Sequence, residues 1–572
     1  MNSLHFSPRR NWMNDPNGLL FHDGRYHLYF QYNPLGVGHE NMSWGHASSA
    51  DLVTWQEHPV AISFDDDEEV FSGSIVVDVE GTTGFGTPGD PALIALYTSD
   101  SKREKRQAQS IAYSLDAGTS WAKYEGNPVL DRGSANFRDP KIIRWESAEE
   151  CYWVMVAVEA EDRQVVMYRS DDLLSWRYLS SFGPEGAVGG VWECPDLFPL
   201  RIEGTDEERW ILILSLSPGG LAGGSGTQYF VGEFDGRVFK PDTSHPPVDS
   251  SDTDGMRSLD WLDYGRDCYA GVTFAGLPND QRTLIAWMSN WDYARQSPVS
   301  EEAPQRGSMT LARRLSLVSA DSAGGRLRLR QTPVVPPTAE TARLEGVAVQ
   351  EGSDFALGVP ARGRVEIAID VDEAAGVVLR LEEAGDFAGP VGSGDVCEVS
   401  GAVGSEGACE VGDSGARAGA QDPRRDTAGA VLISYDVALG ELSCDRRGSA
   451  RGYPEEFASV ERMPVALSVG TPTVAQSSAA QSSAAQGSAT EQAATGPDAA
   501  DLPSAPASEL VLTLWLDEGS IEIFAEGGTR VLTDLTAPLR SPRLTVSGTA
   551  GSVRIVRLVA AEAVRTGVYL GD

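Results

Sequence analysis

The sequence predicts an all-β chain, and three observations carry that expectation. Short runs of β-branched and aromatic residues recur between turn residues: LIALY at 93–97, YWVMVAV at 152–158, WILILSL at 210–216 and LIAWM at 284–288. Long amphipathic helical patterns are nearly absent. A Ser-Asp-Trp pattern also returns along the first half of the chain. SSADLVTW ends at Trp55, AYSLDAGTSW at Trp121 and YRSDDLLSW at Trp176, with a weaker echo, GEFDGRVF, ending at Phe239.

Each element follows from its residues. Repeats of about sixty residues, each holding several strands, suit the blades of a β-propeller, where every four-stranded sheet buries its faces against its neighbours. Five such units fit before the composition shifts after Leu329-Arg330-Gln331-Thr332-Pro333, so residues 1–335 are expected to form a five-bladed β-propeller. Strand patterns continue at 365–371, at 431–435 and in a hairpin over 510–525 whose two faces alternate. That alternation suits a β-sandwich over 336–572. A chain of 572 residues is too long for one core, which fits two domains. Two stretches, near 384–426 and 471–509, are rich in Gly, Ala and Ser and are expected to be flexible insertions in the second domain.

Composition excludes several function classes. Acidic residues number 83 against 46 basic ones, a formal charge of −37. Such a surface repels nucleic acid and anionic membranes and suits a neutral substrate. The six cysteines are scattered without a CxxC pair, and no HExxH occurs, so no metal and no cofactor are expected. The acidic run at 65–69 lacks the spacing of a calcium loop and reads as a solvated loop, and 219–226 lacks the GK[ST] of a phosphate loop. The opening MNSLHFSPRRNWMNDPNG has no basic start followed by an apolar run, so the chain reads as cytoplasmic, or as secreted if a leader has been trimmed away. The sequence specifies no oligomeric state.

Three acids sit next to or near prolines: Asp15 in WMNDPNG, Asp139 in FRDP and Glu193 in WECPD. Each string reads as a tight turn. In a propeller the leading strands of all blades converge on one funnel, so acids far apart in the chain meet there. Paired carboxylates are what glycoside cleavage requires: one attacks or stabilises the cationic sugar, the other protonates the leaving oxygen.

These strings, with FSGS at 71–74, QYNP at 31–34, WGHASSADLVTW at 44–55, GRDCYAGVTF at 265–274, WMSNW at 287–291 and RGSMTLARRLSL at 306–317, resemble glycoside hydrolase family 32, the invertases, levanases and exo-inulinases. ISYD, LSCDRR and IEIFAEGGTRVLTDL extend the likeness to about Pro538. The resemblance implies a retaining, exo-acting β-fructofuranosidase that removes terminal fructose from sucrose, fructo-oligosaccharides or inulin- and levan-type fructans. Asp15 matches the family's nucleophile, Glu193 its acid/base and Asp139 the residue that holds two fructose hydroxyls. Arg138 is placed to grip a carboxylate with both arms of its fork and modulate Glu193. Asn14, Gln31, Trp44, Phe71, Ser72, Tyr269 and Trp291 match residues of the terminal-fructose subsite, and Cys194 reads as a local tuner of Glu193. One departure matters: His39-Glu40-Asn41-Met42 stands where many relatives have Trp-Gly-Asn-Met, so either His39 replaces an indole of the pocket or a neighbour fills the gap.

Two rival readings separate by simple observations. A fructosyltransferase would pass the same covalent intermediate to a sugar, so its products at high sucrose would be oligosaccharides in place of free fructose. A carbohydrate-binding protein on a dead enzyme scaffold would have lost one of the three acids.

Overall fold

The computed structural model describes residues 4–320, 325–371, 374–384, 397–399, 429–450, 452–469 and 508–564. The expected insertions at 384–426 and 471–509 lie outside the described residues except at 384, 397–399 and 508–509.

The described chain is all-β, as the residue patterns require. Five four-stranded antiparallel meanders follow one another, the first extended by one late parallel strand. Their leading strands are Asn11–His22, Glu68–Asp78, Phe137–Glu146, Val191–Arg201 and Tyr269–Thr273. Each leading strand touches the next, and the fifth touches the first, so the five form a closed ring. Late residues fasten the seam: Gln305–Arg306 pairs in parallel with Asn11 and Trp12, and Phe21 N donates to Ala275 O at 2.8 Å.

The recurring Ser-Asp-Trp pattern has a local cause. In each of three turns a serine hydroxyl donates to the aspartate two residues on: Ser49 to Asp51 at 3.0 Å, Ser114 to Asp116 at 2.8 Å and Ser170 to Asp172 at 3.0 Å. The carboxylate oxygen then accepts backbone N–H groups further on, from Val53 and Thr54, from Ser120, and from Leu174 and Ser175. This Asx turn fixes the reversal between third and fourth strands. Trp55 and Phe239 begin a fourth strand, and Trp121 and Trp176 immediately precede one. In the acidic run, residues 65–67 form the exposed loop expected, whereas 68 and 69 do not. Glu68 and Glu69 open the strand Glu68–Asp78, and Lys123 Nζ holds both Asp65 and Glu68 at 2.7 Å.

After Leu327–Pro333, the last strand of the fifth sheet, two larger sheets of eight and six strands follow. They share one apolar core, in which Val365, Ile367, Leu514 and Ile523 of one sheet meet Leu379, Val431, Ile433 and Val546 of the other.

The two-sheet part is tied to the ring by buried charge. Arg313 is fully buried and donates to Asp263 at 2.9 Å and to Glu522 at 2.7 Å. His5 bridges Asp517 at 3.0 Å and Glu522 at 2.9 Å. Burial opposes a charge on His5, but the two carboxylates outweigh it and raise its pKa to about 9. No helix among the described residues is long and apolar enough to cross a membrane.

Candidate active site

The expected site residues come mainly from the five leading strands, and all five strands are irregular at the same level. The ladder slips between Met13 and Pro16, between Val70 and Gly73, between Glu193 and Asp196, and between Tyr269 and Val272; the partner of Phe137–Glu146 slips opposite Asp139 and Pro140. Asp139, Cys194 and Ala270 also have positive φ, at 62°, 48° and 54°. These are β-bulges, which turn a side chain out of the alternating pattern toward the ring's centre. The Asp-Pro and Glu-Cys-Pro strings therefore form bulges inside strands, not the turns expected between them. Pro16, Pro140 and Pro195 suit that position because a bulge leaves one N–H without a ladder partner.

The bulges gather the three acids. Asp15 Oδ1 accepts from Asn14 Nδ2 at 3.1 Å, and its Oδ2 accepts from Ser72 Oγ at 3.0 Å. Asp139 Oδ2 accepts the backbone N–H of Cys194 at 3.0 Å. The Cys194 thiol lies between these two acids, 3.6 Å from Asp15 Oδ2 and 3.8 Å from Asp139 Oδ2. Glu193 Oε1 accepts two N–H groups of Arg138, from Nε at 3.2 Å and Nη2 at 3.0 Å, while Oε2 accepts the Tyr269 hydroxyl. Arg138 does grip Glu193, but on one oxygen instead of the fork across both, because Tyr269 occupies the other.

Burial and mutual repulsion load this cluster. Burial, then the charge of Glu193, pushes Asp15 up to about 6, against hydrogen bonds from Asn14, Ser72 and Cys194 that favour its ionised form. Asp139 is pushed up to about 7, again chiefly by burial; Arg138 opposes, and Glu193 and Asp15 add to the rise. Burial first, then the three acids, drives the Cys194 thiol well above its ordinary value, so it stays protonated.

Aromatic rings form one wall. Trp291 stacks on Trp12 with centroids 5.9 Å apart, and His39 meets Trp291 edge-on at 5.1 Å. Phe71 lies 6.3 Å from His39. His39 thus takes the place itself among the aromatic rings. Burial and then the Arg295 charge lower its pKa to about 4, so it is a neutral ring at ordinary pH.

Gln31 and Trp44 stand back from this wall. Gln31 is buried and donates to Val70 O at 3.1 Å; Trp44 is fully buried, and its indole donates to Phe71 O at 3.0 Å. Both act on the strand that carries Phe71 and Ser72. Reasoning from sequence passed over Thr98, whose hydroxyl donates to Ser72 O at 3.1 Å and accepts Asp139 N at 2.9 Å. No motif marks Thr98. Trp12 was legible, since it opens WMNDPNG, and its indole donates to Asn14 Oδ1 at 2.7 Å.

Such an arrangement, two mutually repelling acids beside a third held by arginine and tyrosine, can attack an electrophilic carbon and exchange a proton with a leaving oxygen. Residues 5–333 match the glycosyl hydrolases family 32 N-terminal domain, and residues 421–561 match the C-terminal domain of that family. A levanase of Bacillus subtilis is 47% identical over 335 residues, covering 58% of this chain and 46% of that protein. An extracellular exo-inulinase of Aspergillus niger is 44% identical over 341 residues, covering 55% of this chain and 61% of that protein. The chain therefore spans about half to three-fifths of the length of these relatives. The crystal structure of an exo-inulinase from Aspergillus awamori superposes with a TM-score of 0.78 at 31% identity, covering 99% of this chain and 98% of that one.

Proposed function

The chain belongs to glycosyl hydrolase family 32, and we propose that it is an exo-acting, retaining β-fructofuranosidase that releases terminal fructose from sucrose, fructo-oligosaccharides and fructans. The observation that carries the proposal is the convergence of Asp15, Asp139 and Glu193, from three different sheets, around Cys194 and Arg138.

Asp15 is the nucleophile. Ser72 and Asn14 hold its carboxylate in one orientation and stabilise its ionised form, so that it can form the covalent fructosyl intermediate. Glu193 gives its proton to the departing oxygen and then takes one from water. Tyr269 and Arg138 fix its two oxygens, so the proton is exchanged in one place. Asp139, held by the Cys194 N–H, binds two fructose hydroxyls. His39, Phe71 and Trp291 offer ring faces to the C–H side of the sugar, while the buried Trp12 backs Trp291, and Gln31 and Trp44 support that wall.

The fold reading rests on the ring of leading strands: residues 1–335 are a five-bladed β-propeller and 336–572 a β-sandwich. The relatives' names favour fructans. Long fructans do not cross membranes, so preference for inulin or levan goes with an extracellular enzyme, whereas sucrose and short oligosaccharides suit either side. A panel of sucrose, kestose, inulin and levan, with the anomeric configuration of fresh product read by NMR, tests the proposal. Release of β-fructofuranose supports it; an inverted product, or Asp15→Ala with near-normal turnover, would sink it.

A further inference from the structure

A second group of buried acids lies away from the cleft. Cys444 on the strand Glu441–Asp445, Glu461 on Val460–Pro464 and Asp534 on Arg530–Leu535 bring one thiol and two carboxylates together, their ligating atoms within 4.8 Å of one another. All three are shut off from solvent, with exposures of 0%, 1% and 0%. Neither oxygen of Glu461 has a hydrogen-bond partner among the described residues, and nor does Asp534 Oδ2. Burying an unpartnered carboxylate is strongly unfavourable, so the group demands a proton or a cation.

The guanidinium beside this group, that of Arg446, is already engaged. Arg446 donates to Asp267 Oδ2 at 2.5 Å, Leu535 O at 3.0 Å, Tyr293 OH at 2.8 Å and Ser459 Oγ at 3.0 Å, and stands 3.9 Å from Asp534 Oδ1. The other contact of Asp534 Oδ1 is the backbone N–H of Arg266 at 3.0 Å. Three carboxyls, Asp267, Glu461 and Asp534, thus share one positive charge.

We propose that Cys444, Glu461 and Asp534 form a structural site for one divalent cation of the Zn²⁺ class. Two positive charges would cancel the excess of this cluster. A sulfur donor with two carboxylates favours a borderline metal over Ca²⁺ or Mg²⁺, which take oxygen ligands alone. Zn–S and Zn–O bonds of about 2.3 and 2.1 Å would draw the three atoms to roughly 3.5 Å of one another, a closure of about 1 Å. The cation would clasp strands from both larger sheets. It would also brace Arg446 against Asp267, two residues before Tyr269, behind the wall of the cleft. The ligands are far apart in the chain and include no histidine, so no sequence motif announces them.

The test uses the full chain, stripped by chelator and then reloaded. The expected result is one Zn²⁺ retained per chain through gel filtration, a melting temperature raised by Zn²⁺ and lowered by EDTA, and, with Co²⁺, a thiolate charge-transfer absorption in the near ultraviolet. Cys444→Ser should abolish that absorption, and Glu461→Gln should weaken Zn²⁺ retention at least tenfold. The Co²⁺ spectrum needs only the native sequence, so it stands even if a variant fails to fold. Zn²⁺ well below one equivalent with no charge-transfer band would overturn the proposal and leave the two carboxyls sharing a proton. So would Zn²⁺ retention unchanged in both variants. Neither outcome touches the reading of Asp15, Asp139 and Glu193.

Discussion

Replacing Asp15 by asparagine removes a negative charge that the ring of acids holds at a cost. The carboxyl is pushed from its ordinary value of 3.8 up to about 6, first by burial and then by Glu193. A shift of about two units at 1.36 kcal/mol each makes ionised Asp15 destabilise the folded state by about 3 kcal/mol. Because the folded value lies above the unfolded one, the folded state resists ionisation. Below about pH 4 both states hold a neutral carboxyl and the substitution changes little. From about pH 4 to 6 the penalty accumulates, and above 6 it is fully present. Asp15→Asn should therefore melt close to the native protein at pH 4 and above it at pH 7. With an unfolding entropy of about 2.1 cal/mol/K per residue over the roughly 330 residues of the five-sheet part, the gain is about 4 °C. Turnover of sucrose should fall by at least about 10⁴-fold. Melting curves from pH 4 to 8, beside rates on the same samples, check both statements. An equal melting temperature at pH 7, or a gap that does not widen with pH, would refute the electrostatic argument even if activity vanished.

Three further outcomes follow from the same contacts. Ser72→Ala removes a hydrogen bond that favours ionised Asp15, so the acid limb of kcat/KM, expected near pH 6 in the native enzyme, should move to higher pH while the rate falls about tenfold. A pH–rate profile reads this, and an unmoved limb counts against Asp15 as the group that must be ionised. Arg313→Met strands Asp263 and Glu522 in the interior and should destabilise the fold by about 3–5 kcal/mol in urea denaturation. Gly73→Ala forces a methyl to within 2.1 Å of Leu96 O, between paired strands, and should lower expression and melting temperature far more than an Ala at Gly89, whose Cβ meets nothing within 4 Å.

Much of the ring was legible in the sequence because its repeating signal is local. Ser49-Asp51, Ser114-Asp116 and Ser170-Asp172 each write the same turn within a few residues, and the tryptophans mark where the outer strand begins. The three acids were legible for a related reason, since each stands within two residues of a proline that a regular inner strand does not accept. That they form bulges was not, because a bulge is defined by the register of two strands and no single string records it. Thr98 and Trp44 were harder to place for the same reason: each acts through a backbone carbonyl of another strand, and nothing in either residue type signals the partner. The tie between Arg313 and Glu522 depends on residues more than two hundred positions apart. The departure at His39 was visible in the sequence, but whether its ring joined the wall depended on Trp12, Phe71 and Trp291 converging there.

The bond between His5 and its acids sets an order on the birth of the protein. His5 leaves the ribosome well before its partners, since Asp517 and Glu522 lie 512 and 517 positions later. At about 5–20 residues per second, His5 waits roughly half a minute to two minutes for its counter-ions. During that interval Arg313, once made, also lacks Glu522, and the surface meant for the last sheets stays open to water. A nascent chain stalled before the strand that carries Glu522 should for that reason be an aggregation-prone client of chaperones, however complete its ring of five sheets.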